Sequence, residues 1–237
     1  MNTELTALVI AAASIGFFHT LLGPDHYLPF IMMAWARKWS TAKTAWITCL
    51  CGFGHIVGSV MLGMLGVMLG LAVKKIKVTE SLRGNVAAWM LIAFGLVYFV
   101  WGIRQAYKNK IHSHIHPGLD GKRHSHEHSH NYEHVHVHDQ KAHLGLAPWT
   151  LFIIFIFGPC EPLIPILMYP AAKHNMIWLI LVTAVFAFVT ITTMLVIVLL
   201  AKTGVSFAKL TKFQRFSHAI AGATILVCGL IVHFLGL

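Results

Sequence analysis

Six apolar runs, at about residues 5 to 36, 44 to 73, 85 to 107, 148 to 171, 176 to 201 and 216 to 236, leave this chain little choice of fold. Each reaches or exceeds the roughly 20 residues that an α-helix needs to cross hydrocarbon. A bilayer offers backbone N–H and C=O groups no water, so every run has to close its hydrogen bonds within itself, and the two-residue alternation of a barrel strand is missing. The expected fold is an all-α integral membrane protein with six transmembrane helices. Composition agrees: 57% of the 237 residues are hydrophobic and 11% are charged, where a soluble domain carries about 25% charged residues. No stretch of mixed polarity is long enough for an attached enzyme domain, so neither catalysis nor a resident cofactor is expected.

Two of the runs carry their own interruption, the first at Gly23-Pro24 and the fourth at Gly158-Pro159. Proline lacks the N–H of an interior helical residue and clashes with the preceding turn, so helices 1 and 4 are expected to be broken. The segments Gly23-Pro24-Asp25-His26-Tyr27-Leu28 and Gly158-Pro159-Cys160-Glu161-Pro162-Leu163 align at an offset of 135, and Ile31, Met33, Ala36 and Lys38 then match Ile166, Met168, Ala171 and Lys173. Gly95-Leu96 and Gly229-Leu230 recur at nearly the same spacing. Three spans per half is an odd number, so the second half must enter the membrane upside down. The expected organisation is a 3+3 inverted repeat: residues 1–107, a His-rich linker at 108–147 expected to be disordered, and residues 148–237. Secondary transporters use such repeats to bring broken helices together at a substrate site near the midplane.

The 18 Lys and Arg residues outnumber the 8 Asp and Glu. They sit in short clusters between apolar runs, which is a topology signal and not a groove for nucleic acid. Thirteen of the 18 fall in the linkers after runs 1, 3 and 5, while Lys74, Lys75, Lys77, Arg83 and Lys173 fall on the other side. The positive-inside rule then makes the linker cytoplasmic and puts both termini outside. No GxxxxGK[ST] motif occurs, so transport would draw on a gradient and not on a P-loop ATPase. Cys49, Cys51, Cys160 and Cys228 all lie in apolar runs, against a disulfide framework.

Asp25 and Glu161 are the only acids inside the expected spans away from their ends, and both stand at a helix break. A charge near the bilayer centre costs several kcal/mol unless paired, and by default marks an ion pathway. His19 and His26 are seven residues apart, about two turns, and so share a helix face. Asp25 adjoins His26, and His55 follows Cys51 by one turn. Imidazoles and a carboxylate suit a borderline divalent cation such as nickel, cobalt or zinc, which makes His19, Asp25, His26 and His55 candidate ligands. Taken singly, any of these histidines is more readily a satisfied interior residue; the set flanking a break is the signal. Cys160 and Glu161 occupy the repeat positions of Asp25 and His26, where they would complete or gate the site, and His55 maps onto Thr190. Gly54-xxx-Gly58 in the second span marks a close helix contact.

Eleven histidines lie between Ile111 and Leu144. Most form His-x-His steps: His112, His114 and His116, then His124, His126, His128 and His130, then His134, His136 and His138. In an extended chain alternate residues face the same way, so each step can offer two imidazoles to one ion. With few apolar residues the linker cannot build a core of its own. A collector of cytoplasmic metal ions fits this composition better than a polar spacer.

The element from His19 through Gly23-Pro24-Asp25-His26, the Gly54-His55 element and the His-rich linker between spans 3 and 4 together resemble the NicO-type nickel/cobalt transporter family. That family lies within the wider LysE-like superfamily, and the chain is similar to its urease-accessory and sulfite-exporter-like members. The likeness covers most of the chain as architecture, while the diagnostic residues are confined to spans 1 and 2. The step from His19 to His26 is one residue longer than is usual in the family. The resemblance implies a multi-pass protein of the bacterial plasma (inner) membrane whose partners are the bilayer and a divalent metal ion, with self-association left open. With the collector on the cytoplasmic side, efflux is expected over uptake. Two other classes remain: an intramembrane thiol carrier of the DsbD or CcdA kind, prompted by Cys160 between Pro159 and Pro162, and a metal-binding accessory protein without transport.

Overall fold

The computed structural model describes residues 3–68, 73–108, 112–117, 123–128, 146–158, 160, 162–173, 175–207 and 215–235. The first apolar run forms α1 (Thr3–Leu22), a single 3-10 turn (Pro24–His26) and α2 (Leu28–Ala36). The break falls where Pro24 withholds an N–H: Gly23 N–H still closes on His19 O at 3.0 Å, and His26 N–H then reaches only as far as Gly23 O at 3.1 Å. α2 ends at Ala36, and Lys38 just beyond it takes a left-handed φ of 51°. Trp39 N–H turns back to Ala34 O there, at 3.0 Å.

Two long helices follow, α3 (Thr41–Met68) and α4 (Val73–Lys108). The linker carries an antiparallel pair, β1 (His112–Pro117) and β2 (Arg123–His128). Their register sets His112 opposite His128, His114 opposite His126 and His116 opposite His124. The remainder of the 108–147 linker beyond Lys108, these two strands and the first residues of the next helix, including His130, His134, His136 and His138, lies outside the described residues. The second half begins with α5 (Leu146–Phe157) and α6 (Leu163–Ala172), then α7 (Met176–Phe207) and α8 (Ser217–Leu235).

Among the described residues, five helices are long and apolar enough to cross a membrane: Thr3–Leu22, Thr41–Gly66, Lys75–Lys108, Met176–Gly204 and Ser217–Leu235. The fourth expected run supplies instead two shorter apolar helices, α5 and α6, of 12 and 10 residues. The long helices carry apolar outer faces, with Ile177 and Phe188 of α7 78% and 71% exposed, as lipid-facing side chains are.

Glycines set how closely the helices approach. α4 and α8 run antiparallel, backbone against backbone: Gly95 abuts Leu226, Gly102 abuts Ala219, Gly222 abuts Phe99 and Gly229 abuts Ile92. α1 packs on α7 and α5 packs on α3; α2 packs on α7 and α8, and α6 packs on α3 and α4. Both helix breaks therefore turn inward, against α3 and α7.

Candidate metal centre

His19 reaches the site from the last turn of α1, His26 from the 3-10 turn, and His55 from the middle of α3. Their ring centroids are 4.6 Å apart for His19 and His26, 5.2 Å for His26 and His55, and 6.4 Å for His19 and His55. One nitrogen from each ring lies within 4.8 Å of the other two. His26 and His55 are 2% exposed and His19 is partly exposed.

The second nitrogen of each buried ring decides what the first can do. His26 Nδ1 lies 3.2 Å from Gly23 O and 3.1 Å from Asp25 Oδ1. Both oxygens are acceptors, so Nδ1 carries the proton and Nε2 keeps its lone pair. His55 Nδ1 lies 3.3 Å from Phe155 O, which fixes the same tautomer. Neither His26 Nε2 nor His55 Nε2 has a hydrogen-bond partner, although both atoms are buried. A buried nitrogen left bare is costly, and an imidazole oriented through Nδ1 with Nε2 bare has the form of a metal ligand with its supporting oxygen in place.

The breaks in the helices make this arrangement. Gly23 O accepts twice from the same residue, from the His26 N–H that closes the 3-10 turn and from His26 Nδ1, one bond for each lone pair. A Cβ on Gly23 would come within 2.6 Å of His26 Nδ1 and 2.9 Å of Asp25 Oδ1, so only glycine fits. Gly158 plays the same part for His55, since a Cβ there would lie 2.9 Å from His55 Nδ1.

The expected ligands divide accordingly. Asp25, with its side chain 21% exposed, holds His26 through Nδ1 and stands outside the converging nitrogens. Cys160 is wholly buried, with Sγ 4.0 Å from His19 Nε2. Glu161 lies outside the described residues. A ligand sphere with bonds of about 2.0–2.1 Å spaces tetrahedral nitrogens about 3.3 Å apart, so an ion would draw the rings together by up to about 1.5 Å. His19 is the least restrained of the three and the one that can move. It also lines a cavity of about 340 Å³ with Ser14, Ile15, Phe18, Leu22, Gly23 and Pro162, whereas the Phe155 ring covers His26 and His55 from the other side at 6.5 and 6.2 Å. The site is therefore more open on the His19 side.

The chain matches no protein-family model, no curated protein and no solved structure.

One support of the site escapes the sequence reading. Asp25 and Glu161 are not the only acids within the spans: Glu80, inside the candidate span Lys75–Lys108, is wholly buried. Arg83 Nη1 donates to Glu80 Oε1 at 2.8 Å, and Arg83 Nη2 donates to Ile156 O at 2.8 Å and Gly158 O at 3.3 Å. The guanidinium thus binds the C-terminal carbonyls of α5, the favourable end of a helix for a cation. It holds the segment whose Phe155 carbonyl orients His55. It reaches there across Gly58, where a Cβ would meet Ile156 O at 2.8 Å and Arg83 Nη2 at 3.1 Å. Gly54 lets Phe152 and Ile156 approach in the same way. The signal available in the sequence was the Glu80-Arg83 spacing, three residues apart on one helix face.

Proposed function

We propose that this chain carries a divalent transition-metal ion across the membrane, with His19, His26 and His55 binding the ion near the midplane. The observation that carries the reading is the pair of buried Nε2 atoms, each bare and each oriented from behind, converging with a third imidazole. Three neutral imidazoles with further positions open suit a borderline divalent cation such as nickel, cobalt or zinc, and the resemblance of the sequence puts nickel and cobalt first. Asp25 orients His26, and Cys160 and Glu161 complete or gate the site from the second half.

The carrier is read as a six-span, 3+3 inverted repeat in which α5 and α6 together make the fourth crossing. Support comes from reciprocal packing: Gly95 against Leu226 on one side is mirrored by Gly229 against Ile92 on the other. These two contacts exchange when the halves are swapped, as a twofold axis in the membrane plane requires. The charge distribution favours a cytoplasmic linker and external termini, the resemblance implies a bacterial inner membrane, and a cytoplasmic collector favours efflux. Proton exchange is the driving force, since an imidazole must be deprotonated at Nε2 to bind metal. The thiol-carrier reading rests on Cys160, which meets His19 and not a second thiol; all four cysteines are free.

The test is cobalt(II) binding to the purified protein, followed by visible absorption and by X-ray absorption at the metal. Wild-type protein should show at least three nitrogen donors at about 2.0–2.1 Å. His26→Ala and His55→Ala should each abolish that signature, and unchanged binding in both would sink the assignment.

A further inference from the structure

Five hydroxyl side chains are wholly buried among the described residues: Thr20, Thr44, Thr48, Ser59 and Thr190. A helix offers such a group an easy remedy, a bond back to the carbonyl one turn earlier. Thr20 takes it, donating to Gly16 O at 2.8 Å, and so does Thr44, donating to Ser40 O at 2.9 Å. Partly buried Thr183 and Thr224 do the same. Thr48, Ser59 and Thr190 do not, and their hydroxyls have no partner at all. In a membrane interior a hydroxyl without a partner is destabilising, and the remedy was one rotamer away.

Two of the three flank His55 along α3. Thr48, His55 and Ser59 fall on one face of α3, with Thr44 and Cys51 between and below them, within an arc of about 80° at 3.6 residues per turn. Thr48 precedes His55 by about 10 Å of helix and Ser59 follows it by about 6 Å. Aliphatic residues would be the ordinary content of such a face. Across from it, α7 closes on α3 where Ile191 and Met194 meet Gly52. Thr190, next to Ile191, occupies the repeat position of His55, and its Oγ1 lies 3.1 Å from where a Cβ of Gly16 on α1 would stand.

We propose that Thr48 and Ser59 on α3, with Thr190 on α7, line the track of the cation on either side of the three histidines, their free hydroxyls receiving a divalent ion that still carries part of its water. Oxygen donors suit a hydrated divalent cation in passage, because they hold it more weakly than imidazole and release it. The inference rests on the transport reading and adds to it a route through the protein. It separates the groups that bind the ion from the groups that let it move.

The signature is an opposition between stability and flux. Replacing an unpartnered buried hydroxyl by an isosteric apolar group removes a destabilising feature, so a purely structural residue gains or keeps stability and nothing else changes. The experiment compares full-length wild type with Thr48→Val, Ser59→Ala and Thr190→Val, and with Thr224→Val as a control whose hydroxyl is satisfied within α8. Cobalt(II) is the probe, and the three readouts are equilibrium binding in detergent, flux in proteoliposomes and thermal unfolding. Flux should fall about tenfold in the three variants, the loss expected for one hydrogen bond to a charged species in the rate-limiting step. Binding should stay within about twofold and Tm should hold or rise, with Thr224→Val unchanged. Flux at the wild-type level in all three overturns the track while leaving the histidine site standing. Flux and Tm falling together also overturn it, because the hydroxyls would then be holding structure, for instance through buried water. A wild type that binds and moves no cobalt overturns the transport reading itself, and the track with it.

Discussion

Substituting Gly158 by alanine should weaken metal binding without touching any ligand. The backbone at Gly158 is not left-handed, so alanine is conformationally acceptable and only space forbids it. The new methyl would lie 2.9 Å from His55 Nδ1 and 3.1 Å from Phe155 O, the two ends of the 3.3 Å hydrogen bond that orients His55. A separation of 2.9 Å is about 0.6 Å inside the ~3.5 Å optimum of a non-bonded contact, so ring or carbonyl must give way. Overpacking of this kind destabilises by about 1–3 kcal/mol. Loss of an orienting partner lowers metal affinity by about 10–100-fold. Cobalt titrations of purified wild type, Gly158→Ala and Gly204→Ala measure the difference directly. Gly204, near the end of α7, has nothing within 4 Å of its added Cβ and serves as the control. Wild-type affinity in Gly158→Ala, or an equal loss in Gly204→Ala, would refute the claim that the Phe155 carbonyl sets His55 for metal.

Three further outcomes follow from the same geometry. Protons and cation compete for the Nε2 lone pairs while the Nδ1 atoms keep their protons, donated to Gly23 O and Asp25 Oδ1 by His26 and to Phe155 O by His55, so cobalt affinity should fall as acid protonates Nε2, with protons released on binding there; calorimetry in acidic buffers of different ionisation enthalpy checks this, and an affinity unchanged by acid would count against it. Arg83→Gln removes the guanidinium beside the wholly buried Glu80 carboxylate and should destabilise by about 3–5 kcal/mol. Adding Glu80→Gln should restore part of that stability but not His55 orientation, so thermal unfolding and cobalt affinity should separate. Deleting residues 112–143 should weaken the apparent affinity for transported metal while leaving the maximal rate intact, as measured by initial rates over a range of cobalt concentrations.

The two helix breaks were legible because proline cannot donate and glycine stands beside it; α1 ends at Leu22 and α5 at Phe157, against Gly23-Pro24 and Gly158-Pro159. That His19 and His26 meet was legible from their spacing about a break, since the 3-10 turn keeps His26 near the His19 face, while His55, on another helix, could be joined to them only by its residue type and the resemblance. The role of Asp25 was not, because sequence shows adjacency and cannot show that its carboxylate bonds the rear nitrogen of His26. The start of α4 was also hidden. Glu80 and Arg83 look like the polar end of an apolar run, so in the sequence the third run begins at about residue 85. In three dimensions they neutralise each other one turn apart, and the unspent carbonyls of α5 take up the remaining N–H groups. Charges disqualify a span only when nothing in the fold receives them. The facing histidine pairs of β1 and β2 likewise need the register, which no spacing rule fixes.

Cobalt flux in proteoliposomes, wild type against a variant carrying His19→Ala, His26→Ala and His55→Ala together, bears most directly on whether three converging imidazoles carry a transported ion. Wild-type vesicles should move cobalt down an imposed gradient with a pH-dependent rate, and the triple variant, folded by thermal unfolding, should fall to the rate of empty vesicles. Equal flux in the two proteins, or none above empty vesicles in the wild type, would contradict it.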